Sequence, residues 1–388
     1  MLKTVLTAGF AMFSMFFGSG NLVFPLMLGT QTLHHSTSAL GGFFITAVIV
    51  PFLGLIAMIA FKGDRERFFG SLGNPTGFIL TFLILALIGP FAVIPRCITV
   101  AFGGLQLIWP NLSFAGFSAF FCILTGTLIW RPNKVVGIIG LVLTPLKLGG
   151  IALLVLCGLL FAPTIQGGAV QSMQAFSMGL STGYQTMDLM AAFFFSSTIV
   201  IYLRDHLPQS GRNDKEKQSL LLKCSISASL IGAILLTLIY AGFVHLGAAY
   251  APHLTNAQPE ALLAAIGGLT LGGHALVIVS ITLAVSCLAT AVILATLFMS
   301  FLKEDICENR LNLNLSNAFS IVITMGVTFV IAQLGFSKIC SLLGTVLEWA
   351  YPALIALACH HIATLWFKIN YSKPLFWGIL SLSVLLSL

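Results

Sequence analysis

Apolar runs long enough to cross roughly 30 Å of hydrocarbon recur along the whole chain, at about 4–30, 37–61, 76–108, 113–130, 134–161, 184–203, 216–248, 271–302, 316–334, 337–366 and 374–388. In a bilayer each peptide group must be paired within protein, so these runs read as helices. The expectation is an all-α integral membrane protein of about eleven spans. Composition agrees, with 58% hydrophobic residues, 7% charged residues and a mean hydropathy of +1.04. The first run is too long and irregular for a cleaved signal and no small-residue cleavage site follows it, so it reads as a retained span starting at Met1.

Alternating the spans from a cytoplasmic N-terminus places Lys3, Lys62, Arg65, Arg67, Arg131, Lys134, Arg204, Arg212, Lys215, Lys217, Lys223, Lys303, Arg310, Lys368 and Lys373 inside. The opposite connections, such as 109–111, 163–183 and 252–260, carry almost no Lys or Arg, as the positive-inside rule requires. The formal charge of +7 therefore reflects topology and implies no nucleic-acid partner. No Pro/Gly/Ser linker separates soluble units, so residues 1–388 read as one membrane domain in a lipid bilayer. The third and eighth spans are both long and lie five apart, and five is odd. A second set of five spans then enters from the opposite face, which is the condition for inverted repeats over about 4–161 and 184–366, with 374–388 additional.

Inside the first span the chain reads Gly18-Ser19-Gly20-Asn21, then Phe24-Pro25. Two glycines, a serine, an asparagine and a nearby proline disfavour an unbroken helix there. Freed peptide groups at that depth must face protein or a wet cavity, so the break predicts a small polar site inside the membrane. Carbonyls would serve a cation there, and amides at the following half-helix a carboxylate; Asn21 could add a side-chain oxygen to the cation. A plain helix-packing face is the other reading of such small residues.

Lys147 lies about 13 residues from either end of its span, roughly 20 Å of helix rise from both surfaces. It is either a functional cation or a lysine bonded to carbonyls freed by Pro145. Arg96, beside Pro95, has Asp188 and Glu348 as possible partners, the only acids within spans; an Arg96–Asp188 pair would make an outer gate. Asp188 is expected about four residues into its span, near the outer surface, where capping competes with gating. Glu348 is expected deeper, before a helix-breaking Tyr351-Pro352. Ala191, Ala192, Phe194 and Phe195 on the sixth span line a dry pocket or simply pack, in a chain with 32 Phe.

The eight cysteines are scattered with no C-x-x-C pair, and His34-His35 and His360-His361 are sequence neighbours that point to different helix faces. Neither pattern makes a metal centre; the cysteines read as small buried hydrophobes and the histidines as interfacial residues. No Ser/His/Asp order, H-E-x-x-H or phosphate-cradling loop supports an enzyme.

The runs Phe16-Phe17-Gly18-Ser19-Gly20-Asn21-Leu22-Val23-Phe24-Pro25, Ile88-Gly89-Pro90-Phe91-Ala92-Val93-Ile94-Pro95-Arg96, Gly183-Tyr184-Gln185-Thr186-Met187-Asp188, Cys287-Leu288-Ala289-Thr290-Ala291 and Tyr351-Pro352 resemble, in order, the branched-chain amino acid:cation symporter family of the amino acid-polyamine-cation superfamily. The resemblance implies a leucine-transporter-type fold with spans 1 and 6 discontinuous. By that resemblance the main chain around Ser14, Phe17 and Gly18 to Asn21 holds a substrate carboxylate and sodium, and Cys287 and Thr290 complete a cation position. Cys287 can offer only its carbonyl, whereas Thr290 offers a hydroxyl, unless that hydroxyl bonds back to its own helix. Sodium-independent relatives are similar in placing a fifth-span lysine where sodium would sit, so Lys147 replaces or competes with a cation. Ser196 stands where the family has glycine, which leaves the fit of the substrate side chain open.

The expected function is import of leucine, isoleucine or valine across a bacterial inner membrane, coupled to sodium or a proton, with no other cofactor. An ion channel or a non-transporting membrane protein is the alternative. A channel would show rings of repeated filter residues, where this chain has one asymmetric break.

Overall fold

The computed structural model describes residues 2–130, 144–165, 167–168, 170–207, 214–313, 315–364 and 371–387, and the described residues form helices and connections without a strand. The expected start of the fifth span and the basic residues Arg131, Lys134, Arg212 and Lys368 lie outside them.

The first span is broken. Helix α1 (Leu2–Phe16) stops, Gly18 takes an extended conformation (φ −108°, ψ −163°), and α2 (Ser19–Thr32) begins. The break falls at the head of the predicted stretch: Gly18 is extended, and Ser19, Gly20 and Asn21 already form the first turn of α2. Asn21 caps that turn, its Oδ1 accepting the Gly18 N–H at 3.1 Å. Pro25, inside α2, has no N–H to return to the Asn21 carbonyl. A reversal at Leu33 (φ +46°) leads into α3 (Ser36–Phe44), which runs through a wide turn at Ile45–Ile49 into α4 (Val50–Ala60).

After the short α5 (Arg65–Gly70), the third span combines α6 (Asn74–Ala86), a wide turn Leu87–Phe91 with Gly89 out of helical geometry beside Pro90, and α7 (Val93–Gln106). Helices α8 (Phe114–Ile129) and α9 (Thr144–Leu160) follow.

The second break corrects the sequence reading. Residues 163–183 were expected as an outer connection, yet they contain α10 (Ser172–Tyr184), which meets α11 (Asp188–His206) at 44° across Gln185–Met187. Its sequence, SMQAFSMGLSTGY, is too rich in small and polar residues to register as an apolar run. The sixth span is thus broken as the resemblance implied, and Asp188 opens its second half instead of lying near the outer surface.

The chain continues through α12 (Asp214–Tyr250), α13 (Leu262–Leu271), α14 (Gly273–Ser300), α15 (Asn317–Ala332), α16 (Phe336–Thr364) and α17 (Ser372–Ser387). Helix α16 passes unbroken through Tyr351-Pro352, and Glu348 is exposed on it. Among the described residues, Ser19–Ala60, Asn74–Gln106, Glu216–His253, Leu276–Glu308 and Phe336–Thr364 are each long and apolar enough to cross a bilayer, and α10 with α11 makes a sixth such segment.

Glycines set the tightest helix crossings. A β-carbon on Gly29 of α2 would collide with the Val244 carbonyl of α12, and one on Gly247 of α12 with the Leu26 carbonyl of α2. The same reciprocal contact joins α3 and α10, Gly42 against the Phe176 carbonyl and Gly179 against the Ala39 carbonyl. Small residues allow this approach in membranes, where dispersion contacts replace the hydrophobic drive. His361, expected at an interface, is buried between Phe61 and Phe68 and bonds Ser71 Oγ through Nε2 at 3.1 Å.

Candidate functional site

The two breaks face one another. Between them lies a cavity of about 20 Å³ lined by Gly18, Ser19, Gly20 and Asn21 from the first, by Thr186, Met187, Asp188, Ala191 and Phe195 from the second, and by Ile88 of the wide turn, Val93 of α7, and Thr290 and Leu294 of α14. It has room for a water but not for an amino acid.

A side-chain network ties the breaks together. Asn21 Nδ2 donates to Asp188 Oδ2 at 2.7 Å and also to the hydroxyl of Tyr240 on α12, which lies 3.4 Å from the same Asp188 oxygen. Asn21, Asp188 and Tyr240 are all buried. Asn21 is therefore a strut between the half-helices, and its oxygen accepts from Gly18. Tyr240 was not anticipated, although a tyrosine in an apolar span needs a partner for its hydroxyl.

Arg96 is fully buried but pairs with neither expected acid. Its Nη1 donates to the Gln185 carbonyl at 2.8 Å and its Nη2 to Met187 Sδ at 3.0 Å, with the guanidinium 5.5 Å from the Phe24 ring. It holds the unwound link of the sixth span, where Met187 takes a left-handed conformation (φ +60°) that costs roughly 1–2 kcal/mol.

Lys147 on α9 donates to the Phe17 carbonyl, the main-chain oxygen exposed by the first break, and its Nζ lies 5.0 Å from the Phe17 ring. The ammonium thus occupies an oxygen expected to serve sodium. Thr290 lies against the break, its Cγ2 3.2 Å from where a Gly18 β-carbon would be, while its hydroxyl bonds back to the Ser286 carbonyl at 3.2 Å. Cys287 is buried one turn earlier, and neither it nor Ser14 on α1 lines the cavity. Cys97 Sγ donates to Ser19 Oγ at 3.4 Å. No group of three metal-ligating side chains occurs among the described residues.

On α11 the cavity-lining residues share one face. Asp188, Ala191 and Phe195 repeat at i, i+3 and i+7 and share the cavity side. Phe194 instead stacks on Phe69 at 6.4 Å, and the Ser196 hydroxyl bonds the Phe193 carbonyl at 3.1 Å. Neither lines this cavity, because they sit on other sides of the helix.

The sequence profile of the family described as Branched-chain amino acid transport protein matches residues 1–388. The chain belongs to that family. The family is one of transporters, not enzymes. Curated relatives include the branched-chain amino acid permease BrnQ of Bacillus subtilis, 30% identical over 362 residues and covering 91% of this chain and 79% of the relative. The branched-chain amino acid transport system 3 carrier protein of Pseudomonas aeruginosa is also 30% identical, covering 92% of this chain and 79% of that protein. BrnQ of Escherichia coli K12 is 28% identical and covers 97% and 85%. Among solved structures, Mhp1, a nucleobase-cation-symport-1 family transporter in a closed conformation, superposes with a TM-score of 0.63 at 13% identity, over 96% of this chain and 80% of that one. Mhp1 facing inward gives 0.61 at 10% identity, over 90% and 75%. At such identity the likeness is one of fold, and the fold is the all-α, leucine-transporter-type architecture with two broken spans.

Proposed function

We propose that the protein is a secondary active carrier for leucine, isoleucine and valine in a bacterial inner membrane, with a cytoplasmic N-terminus and a cation as its coupling partner. The observation that carries this reading is the meeting of two broken spans across one small cavity. The first turn of α2 offers main-chain N–H groups to the substrate carboxylate. Ala191 and Phe195 offer an apolar wall to its side chain.

The closed cavity requires movement before a substrate enters. Spans 1, 2, 6 and 7 rock against 3, 4, 8 and 9. The matched crossings of α2 on α12 and of α10 on α3 support reading spans 1–5 and 6–10 as inverted repeats. Lys147 on the Phe17 carbonyl favours a proton over sodium, because an ammonium already fills the oxygen position a metal cation would use. Coupling then consists of different affinities for substrate in the states with Lys147 engaged and released.

The test is uptake of radiolabelled leucine into proteoliposomes holding the purified protein, under an imposed pH gradient or an imposed sodium gradient. Saturable uptake that follows the pH gradient supports the reading. Uptake linear in concentration overturns the carrier, and dependence on sodium alone overturns the proton.

A further inference from the structure

We propose that the Asp188 carboxylate is the receptor for the α-ammonium group of the transported amino acid, an assignment that rests on the amino-acid carrier reading above.

Asp188 is placed for this task. It is the first residue of α11, 3% exposed, and it lines the same cavity as the Gly18–Asn21 turn. Two side chains around it point donors at its carboxyl. Asn21 Oδ1 accepts from Gly18, which fixes the amide with Nδ2 toward Asp188, and Tyr240, accepting from Asn21, turns its own proton to the same carboxylate. The positive end of α11 adds to this. Both of these donors fall on Oδ2, and Thr186 Oγ1 lies 3.4 Å from the Asp188 N–H.

What the site lacks is an ion pair at contact distance. The ion pairs Arg65–Asp305, Arg67–Asp64 and Lys303–Glu308 all lie away from Asp188. The two buried cations near the breaks are engaged elsewhere, Arg96 on Gln185 and Met187 and Lys147 on Phe17. A buried carboxyl without a cation at contact distance is a ready partner for an ammonium that arrives with the ligand.

A zwitterion suits this arrangement. Its carboxylate and ammonium are borne on one carbon, and here the amide-presenting turn and the carboxylate are joined by one side chain, Asn21, at 2.7 Å. An analogue without the amino group would leave Asp188 uncompensated and should be rejected.

The experiment is equilibrium binding of radiolabelled leucine to the full chain in detergent, with competition by 4-methylpentanoate, which is leucine without its amino group. For the wild type we expect leucine to bind and 4-methylpentanoate to compete at least about 100-fold more weakly. Asp188→Asn should weaken leucine roughly 100-fold or more and abolish the preference over 4-methylpentanoate, whereas Asp188→Glu should keep the preference. Leucine affinity within threefold of wild type in Asp188→Asn, or equal binding of the two compounds by the wild type, overturns the assignment. If Asp188→Asn fails to fold, the wild-type competition and Asp188→Glu still decide. A wild type that binds no branched-chain amino acid overturns the carrier reading as well, and so is distinguishable.

Discussion

The Lys147 side chain donates its ammonium to the carbonyl of Phe17, so a cation on the fifth span holds the main chain at the point where the first span comes apart. Replacing it frees that carbonyl and removes the charge from the break. Lys147→Ala is expected to abolish leucine accumulation driven by a pH gradient while retaining exchange of internal for external leucine. Counterflow and gradient-driven uptake, measured on the same proteoliposomes, check this; accumulation at the wild-type level would remove Lys147 from coupling.

Arg96 bridges two acceptors, the Gln185 carbonyl and Met187 Sδ, with two different nitrogens. A lysine is a point donor and cannot reproduce that fork. Arg96→Lys should lower the maximal rate of leucine uptake about tenfold, consistent with loss of about 1.4 kcal/mol in holding the link. A rate within twofold of wild type would mean that the left-handed Met187 needs no such support.

Gly29 and Gly42 sit where a β-carbon would meet backbone, whereas Gly326 and Gly378 have open space. Alanine at either of the first two forces the crossing helices apart at a cost of about 1–3 kcal/mol. At the last two it should be neutral or stabilising by up to roughly 1 kcal/mol, since glycine is a poor helix former. Thermal midpoints in detergent separate the pairs, and equal behaviour of all four would contradict the packing.

On α11, Ala191 faces the cavity and Ser196 does not. Ala191→Leu should shrink the pocket and shift preference from leucine toward valine, whereas Ser196→Ala should leave it unchanged. Competition of valine against labelled leucine uptake measures both, and a shift with Ser196→Ala would place the pocket on another helix face.

Much of the fold was legible because its cues are local. The apolar runs near 216–248, 271–302, 316–334 and 337–366 correspond to α12, α14, α15 and α16, and the glycines and Asn21 foretold the first break. The sixth span was misplaced because α10 is too polar to register as an apolar run and Gln185–Met187 holds neither glycine nor proline. Asp188 was consequently put near the surface. Phe194 and Ser196 do not line the cavity, because a helix turns adjacent residues to different sides and which side faces the cavity depends on packing.

The amino-acid sequence by itself determined that this chain is a helical membrane protein with an interrupted first span, since hydropathy and helix breaking are properties of short segments. Only the tertiary structure decided the partners. Asn21 and Asp188 are 167 positions apart, Asn21 and Tyr240 are 219, and Lys147 and Phe17 are 130. Such pairs form because buried polar groups must find partners, and which ones they find depends on how the helices cross.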